Sequence, residues 1–330
     1  MATADLSDAL SMIRLFMGYI PTRVIYVAAK LGVIDQIGDE GAEAQDLARR
    51  LEVHPDALFR VLRALAGLGV LHQDENDRFF VTSFGETLGK DSPQSVRDYA
   101  IYSHEMVYEG FERIMDSVRT GTPVIADMFE LLRANPDQEA TFHAGMGNRG
   151  RIETATILDA YDFSRCGRIV DVGGGNGAFL SGILASCEQA SGVLYDQQSA
   201  IDTATRGRGG ALPRCELVAG DFFKSIPLEG DTYVLKRVLF DWADNDVIQI
   251  LKNCRQAMKD KARLLIIEPF IGPPNEQTPA YLYDMTFLVM LTGRVRTVKE
   301  HTDLLAQSDF RVQRVVPTDS DVSVLEAIAV

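Results

Sequence analysis

The stretch RIVDVGGGNGAFLSGIL, Arg168 to Leu184, decides the fold. It reads as a strand that runs into a glycine loop and reopens as a helix, the context in which such a loop is informative. Gly173, Gly175 and Gly177 let the backbone turn tightly and let a ligand approach where a β-carbon would collide. From Cys166 onward, short β-branched runs alternate with helical patterns: GVLYD (192–196), CELVAG (215–220), TYVLKRVLF (232–240), ARLLIIEP (262–269), FRVQRVV (310–316) and VSVLEAIAV (322–330). That alternation predicts an α/β domain with a mostly parallel, doubly wound sheet. Its ligands belong in the crevice at the carboxyl ends of the strands.

The loop alone leaves two ligand classes open, because Gly173, Gly175 and Ala178 also satisfy the dinucleotide fingerprint G-x-G-x-x-A. The acids at the strand ends narrow the choice. Asp196, ending GVLYD, suits ribose hydroxyls in either class. Asp221 beside Phe222 suits an adenine amino group and its ring. Asp171 places negative charge where a dinucleotide would bring pyrophosphate, whereas a cationic ligand would gain from it. Lys236 and Arg237 lie inside an apolar run. A strand buried on both faces does not carry cations without partners, so at least one is expected to reach the ligand crevice.

A chain of 330 residues with 46% hydrophobic and 24% charged residues suits two soluble globular domains. Its net charge of -14 argues against a nucleic-acid partner. No run approaches the roughly 20 apolar residues of a membrane span. The start, MATADLSDALSMIRLF, lacks a secretory pattern. A cytoplasmic protein without a membrane partner is expected. Cys166, Cys187, Cys215 and Cys254 stand far apart with no C-x-x-C spacing, so neither a disulfide frame nor a metal site is indicated.

From Leu6 to Leu71 the pattern is helical, and HQDENDRFFVTSFGETL (72–88) reads as a two-strand wing around a polar turn at Asp74–Asp77. This suggests a winged-helix unit over residues 1–95. The first hundred residues hold ten Lys/Arg against fifteen Asp/Glu, so dimerisation suits the unit better than DNA binding. Ser11–Val33 is apolar around nearly its whole circumference and is expected to be covered by a second copy. Residues 96–163 read as a helical linker and lid, and 164–330 as the ligand-binding sheet domain.

Together these features resemble the S-adenosyl-L-methionine (SAM)-dependent methyltransferases of the caffeate and acetylserotonin O-methyltransferase type, a family that includes bacterial tailoring enzymes of secondary metabolism. FMGYIPTRVIYVAAKLGVID (16–35) resembles the family's dimerisation helices, VDVGGGNG (170–177) its cofactor loop, GDFF (220–223) its adenine site and RVLFDW (237–242) its catalytic strand end. The resemblance implies a class I, Rossmann-like sheet of seven strands, a homodimer, and methyl transfer to a small aromatic or polyketide-type molecule, chiefly at oxygen. S-adenosylhomocysteine would be the product cofactor. It assigns Asp171, Gly173, Gly175, Asp196, Asp221, Phe222 and the pair Lys236 and Arg237 to the cofactor. Tyr102, His104, Phe111, Phe142, Met146, Trp242, Phe287 and Met290 are expected to join Phe240 in lining an apolar acceptor pocket.

One departure stands out. The resembling enzymes carry, two residues before the tryptophan, a histidine that removes the acceptor's proton, steadied by two glutamates. Here those places fall on Phe240, Glu268 and Val295. General base catalysis contributes about 10²–10⁴-fold, whereas holding reactants in line contributes effective molarities of about 10⁵–10⁸ M, so methyl transfer is still expected. The acceptor would arrive ionised or react at an electron-rich carbon, or another side chain would serve as base: Glu268, left without an imidazole beside Phe240, or Asp241. His104 and His143 lie on the lid helices, while His54, His72 and His301 read as surface positions. An alternative keeps the cofactor as a fixed positive charge for hydroxylation, decarboxylation or cyclisation.

Overall fold

A computed structural model describes residues 6–125, 128–206 and 213–330. They fall into two compact units, one running to Glu109 and including Leu132–Arg149, the other comprising Gly110–Leu131 and Gly150–Val330.

In the first unit, helices Ala44–Leu51 and Pro55–Gly67 bury Leu47, Leu58, Leu62 and Leu65. The spacing of the last three at i, i+4 and i+7 puts them on one helical face. The wing has three strands rather than the expected two: β1 (Ala42–Glu43), β2 (Leu71–Gln73) and β3 (Arg78–Val81) pair antiparallel in the order β1-β3-β2. Asp74 makes the turn, its Oδ1 accepting the N–H groups of Asn76 (2.8 Å) and Arg78 (2.9 Å). Helix Leu6–Phe16 buries nothing, and Leu6, Ile13, Phe16 and Met17 are more than half exposed.

By length and composition the stretch Leu6–Leu31 could cross a bilayer, its 18-residue window reaching a mean hydropathy of 1.2, a run the sequence reading did not single out. It consists of two helices, however. The second, Tyr19–Leu31, is built into the first unit's core through Ala28 and Ala29.

The second unit carries the expected seven-stranded sheet. Its strands are β4 (Arg168–Val172), β5 (Ser191–Asp196), β6 (Cys215–Ala219), β7 (Thr232–Lys236) and β8 (Arg263–Glu268), then, beyond a short pair β9 (Phe270–Ile271) and β10 (Arg296–Thr297), β11 (Phe310–Pro317) and β12 (Ser323–Ala329). Their order is β11-β12-β8-β7-β4-β5-β6, with β12 antiparallel to both neighbours and the rest parallel. Alternate residues of each strand feed two cores. Val170, Val172, Tyr233 and Leu235 pack with helix Asp244–Ala257 on one face, and Ile169, Val234 and Leu265 with helix Ala178–Ser186 on the other. The chain leaves β4 toward β5 on one side and returns as β7 on the other. That switch point opens a crevice at the carboxyl ends of these strands.

Candidate active site

The glycine loop lies at the switch point. Gly173, Gly175 and Gly177 all have left-handed backbones, φ 72°, 58° and 72°. A Cβ on Gly173 would stand 2.9 Å from Val238, and one on Gly174 would stand 2.5 Å from the Asp171 carboxylate, whereas one on Gly175 would meet open space. The first two glycines therefore serve packing, and the third leaves room above the loop. Asp196 laces the loop to β5: its Oδ2 accepts the Gly175 N–H (2.8 Å) and its Oδ1 the Gln197 N–H (2.6 Å).

Asp171 is 1% exposed, and neither of its oxygens has a hydrogen-bond partner. Burial pushes its carboxyl up to about 7, with the Lys236 charge opposing and Asp196 assisting. An orphaned carboxyl is costly in a folded core. The cost is offset when a cationic ligand seats beside it, which is the fit a sulfonium amino acid supplies and a pyrophosphate does not. Asp221 accepts the Phe223 N–H (3.0 Å) and pairs with Lys224 (3.2 Å). Phe222 meets Trp242 edge-on at 5.9 Å, and Trp242 also meets Phe223 at 4.8 Å. Trp242 thus packs against Phe222, which was expected beside adenine, and Phe223, although the sequence placed Trp242 among the acceptor residues.

The two cations at the end of β7 have a partner that sequence reasoning missed. Glu153, 2% exposed on helix Pro136–Ala160, accepts Lys236 Nζ (3.0 Å) and Arg237 Nε (2.9 Å) and Nη2 (2.6 Å). Arg237 adds Asp321 at 3.1 Å, and its residue adopts a positive φ of 56°. At least one of these cations was expected to reach the ligand crevice, but both are paired with Glu153, because a buried charge without a partner is strongly disfavoured. Nothing in the local sequence signals Glu153, which lies more than eighty residues upstream.

The base position is a closed apolar knot. Phe240, on the 3-10 turn Leu239–Asp241, packs with Ala280, Phe287 and Val295, and its ring lies 4.7 Å from that of Phe287 and 6.1 Å from that of Tyr283. Phe240 and Val295 stand where two of the three proton-transfer groups were expected, and they belong to one cluster. The turn that carries Phe240 packs closely on its neighbours. Gly293 permits it, since a Cβ there would lie 1.9 Å from the Phe240 carbonyl oxygen. Arg296, fully buried, grips the same turn through the carbonyls of Leu239 (3.1 Å) and Trp242 (2.8 Å) and pairs with Asp244 (2.7 Å). Gly293→Ala is expected to displace the turn and lower cofactor affinity at least tenfold, read by calorimetric titration; unchanged affinity would show that the turn is not part of the site.

Glu268 is fully buried. Its Oε2 accepts the Phe240 N–H at 3.3 Å, and its Oε1 lies 2.9 Å from His301 Nε2, off the line a hydrogen bond prefers. Two expectations are corrected here. His301 is 0% exposed rather than a surface residue, and Glu268 does have an imidazole beside it, supplied by helix Val298–Ala306. Asp241 is partly accessible, and its carboxyl is raised well above the usual range by desolvation and by the Glu268 charge, against Arg237.

Among the other expected acceptor residues, Phe287 and Met290 of the second unit are buried at 3% and 1%, and Phe111 is half-buried. In the first unit Tyr102 and Phe142 meet edge to face at 5.4 Å, and Met146 is half-buried on the same helix as Phe142. His104 stacks on Tyr26 (3.6 Å, 10°) and lies 2.9 Å from Arg23 Nη1. Arginine only donates, so His104 Nε2 is the acceptor and its lone pair is engaged. Desolvation and the Arg23 charge depress this imidazole's pKa, against Glu105, which makes it a poor base. His143 is exposed, 3.8 Å from Glu139.

A seven-stranded sheet with one antiparallel strand, a glycine loop over a buried acid and ribose- and adenine-type residues on successive strand ends define a class I SAM-binding enzyme. Family comparisons agree: residues 101–311 match the O-methyltransferase domain and residues 13–91 the O-methyltransferase dimerisation domain. The chain is 34% identical to the phenazine O-methyltransferase of Lysobacter antibioticus, over 96% of this chain and 95% of that one. It is 33% identical to the 8-amino-8-demethylriboflavin N,N-dimethyltransferase of Streptomyces davaonensis, over 92% and 90%. The crystal structure of CalO1, a methyltransferase of calicheamicin biosynthesis in its S-adenosylhomocysteine-bound form, superposes with a TM-score of 0.89 at 30% identity, covering all of both chains. The chain belongs to this O-methyltransferase family and is a SAM-dependent methyltransferase of the bacterial tailoring type.

Proposed function

We propose that the enzyme methylates an oxygen of a small, flat aromatic or polyketide-type molecule whose reacting group is already ionised when it docks. The apolar knot of Phe240, Phe287 and Val295 at the base position carries this reading, because it offers the acceptor a hydrophobic wall and no imidazole. A phenol made acidic by neighbouring carbonyls loses its proton without help, and positioning then provides most of the rate. An aryl amine nitrogen, reacting through its lone pair, suits the same wall. The N,N-dimethyltransferase among the relatives favours keeping this as a second reading.

When bound, SAM supplies an electrophilic methyl group on a sulfonium. Around it, Asp171 balances positive charge, Asp196 accepts ribose hydroxyls while holding Gly175, and Asp221 with Phe222 meets adenine. Phe240 and Phe287 exclude water from the acceptor side, which strengthens every polar contact within. Incubation with methyl-deuterated SAM and a panel of hydroxybenzoates, hydroxynaphthoates and hydroxyphenazines tests the reading. Labelled methyl should appear on the more acidic phenols. Transfer confined to weakly acidic phenols would defeat it.

The Asp171 carboxyl predicts a pH dependence. A cationic ligand selects the ionised form, so binding at pH 6 should release a proton and affinity should rise roughly tenfold toward pH 8. Calorimetry in buffers of different ionisation enthalpy reads this directly, and Asp171→Asn should flatten it. In the ligand-free protein the sign is opposite for stability: folded Asp171 holds its proton more tightly than the unfolded chain does, so its contribution falls as pH rises from about 4 to about 7.

The exposed face of Leu6, Ile13, Phe16 and Met17 lies at the edge of and within the matched dimerisation domain, and we assign it to a second copy of the chain. Ile13→Asp should sediment as a monomer at micromolar concentration; a dimer of unchanged mass would place the interface elsewhere.

A further inference from the structure

The methyl-transfer reading leaves unexplained why a fully buried carboxylate and a fully buried imidazole meet behind the reaction site. Glu268 ends β8, His301 lies on helix Val298–Ala306, and Phe240 and Asp241 lie on the turn Leu239–Asp241. One Glu268 oxygen accepts the Phe240 N–H at 3.3 Å and the other lies 2.9 Å from His301 Nε2. Among the described residues, His301 is the basic side chain within ion-pair range of Glu268. A buried carboxylate without a counter-charge is strongly disfavoured.

The surroundings hold this pair in place. The Phe270 ring stands perpendicular to His301 at 5.2 Å, which fixes the imidazole plane. The helix bearing His301 starts with a capping box of Thr297 and Glu300. Arg296, just before it, binds the carbonyls on either side of the Phe240–Asp241 step. Among the described residues, the charges acting on Asp241 are Glu268 and Arg237, and Arg237 is committed to Glu153 and Asp321; Arg296 at the same turn is paired with Asp244.

We propose that His301 is a positioning residue for methyl transfer: it holds Glu268 from behind, so that Glu268 fixes the Phe240–Asp241 turn and leaves Asp241 as the carboxyl that meets the acceptor. The chain has thereby kept a carboxylate–imidazole couple at this corner while giving the front of the site to an aromatic ring. This inference rests on the proposed function, and it adds a residue that touches neither cofactor nor acceptor.

The test needs no acceptor. His301→Leu removes the imidazole, His301→Gln keeps an amide donor near Nε2, and both are combined with Glu268→Gln in the full-length protein. His301→Leu should lower Tm by about 5 °C or more, while His301→Gln loses less than half of that. In the Glu268→Gln background, His301→Leu should cost little further, because the two side chains act as one unit. With carbon-13-labelled aspartate, the Asp241 titration should move by at least about half a unit in His301→Leu and less in His301→Gln. Additive losses, equal losses for Leu and Gln, or an unmoved Asp241 titration would each reduce His301 to a packing residue. If His301→Leu does not fold, the His301→Gln and Glu268→Gln proteins and their double variant decide. Calorimetric titration with S-adenosylhomocysteine on the same proteins keeps a failure of the cofactor reading distinguishable from a failure of this one.

Discussion

Glu153→Gln should destabilise the protein by about 3–5 kcal/mol, the cost of leaving buried charges uncompensated. Lys236 and Arg237 are about nine-tenths buried, and Glu153 accepts both. The amide keeps the shape and most of the packing, so the loss isolates charge from volume. Asp321 still faces Arg237 at 3.1 Å and retains part of the balance, which leaves Lys236 the more exposed to the change. Lys236 also opposes the rise of the Asp171 carboxyl. Its displacement should therefore weaken cofactor binding beyond the effect of lost stability. Urea unfolding and calorimetry on one preparation separate the two. A variant within about 0.5 kcal/mol of the parent would mean that water, rather than Glu153, solvates these cations.

Phe240→His should raise turnover on simple catechols and phenols, acceptors that reach the site still protonated, by as much as about 10²-fold. The imidazole would stand on the turn whose backbone Glu268 already holds, and an adjacent carboxylate is what orients a histidine base. The effect should be absent for acidic phenols, which need no base. A structural cost accompanies the gain, because the new ring nitrogens enter the cluster of Phe287, Ala280 and Val295. Val295→Glu with Phe240→His should therefore outperform the single variant. No gain in a well-folded protein would mean that pocket shape, rather than proton removal, limits simple phenols.

The strand–glycine–helix run at Arg168–Leu184, the acids at the ends of β4 and β5 and the Asp-Phe pair after β6 were readable in order, because each is a local signal tied to one strand end. The winged-helix pattern was readable for the same reason. Its third strand, two residues long at Ala42–Glu43, was too short to leave a periodic mark. The partners of the charges were not readable. Glu153 meets Lys236 and Arg237 from more than eighty positions away, and His301 meets Glu268 from a helix whose pattern says only that it is amphipathic.

The amino-acid order by itself determined the class of ligand, since backbone freedom at glycine and a carboxylate's charge act over one or two residues wherever the chain goes. It also put a phenylalanine where the resemblance led us to expect a histidine. The tertiary structure alone decided what that phenylalanine means. Only the fold shows that Phe240 packs against Val295 and Phe287 and that the buried Glu268, which accepts the Phe240 N–H, lies beside an imidazole on another helix. Burial sets the energy of a charge, and burial is a property of what surrounds a residue in space.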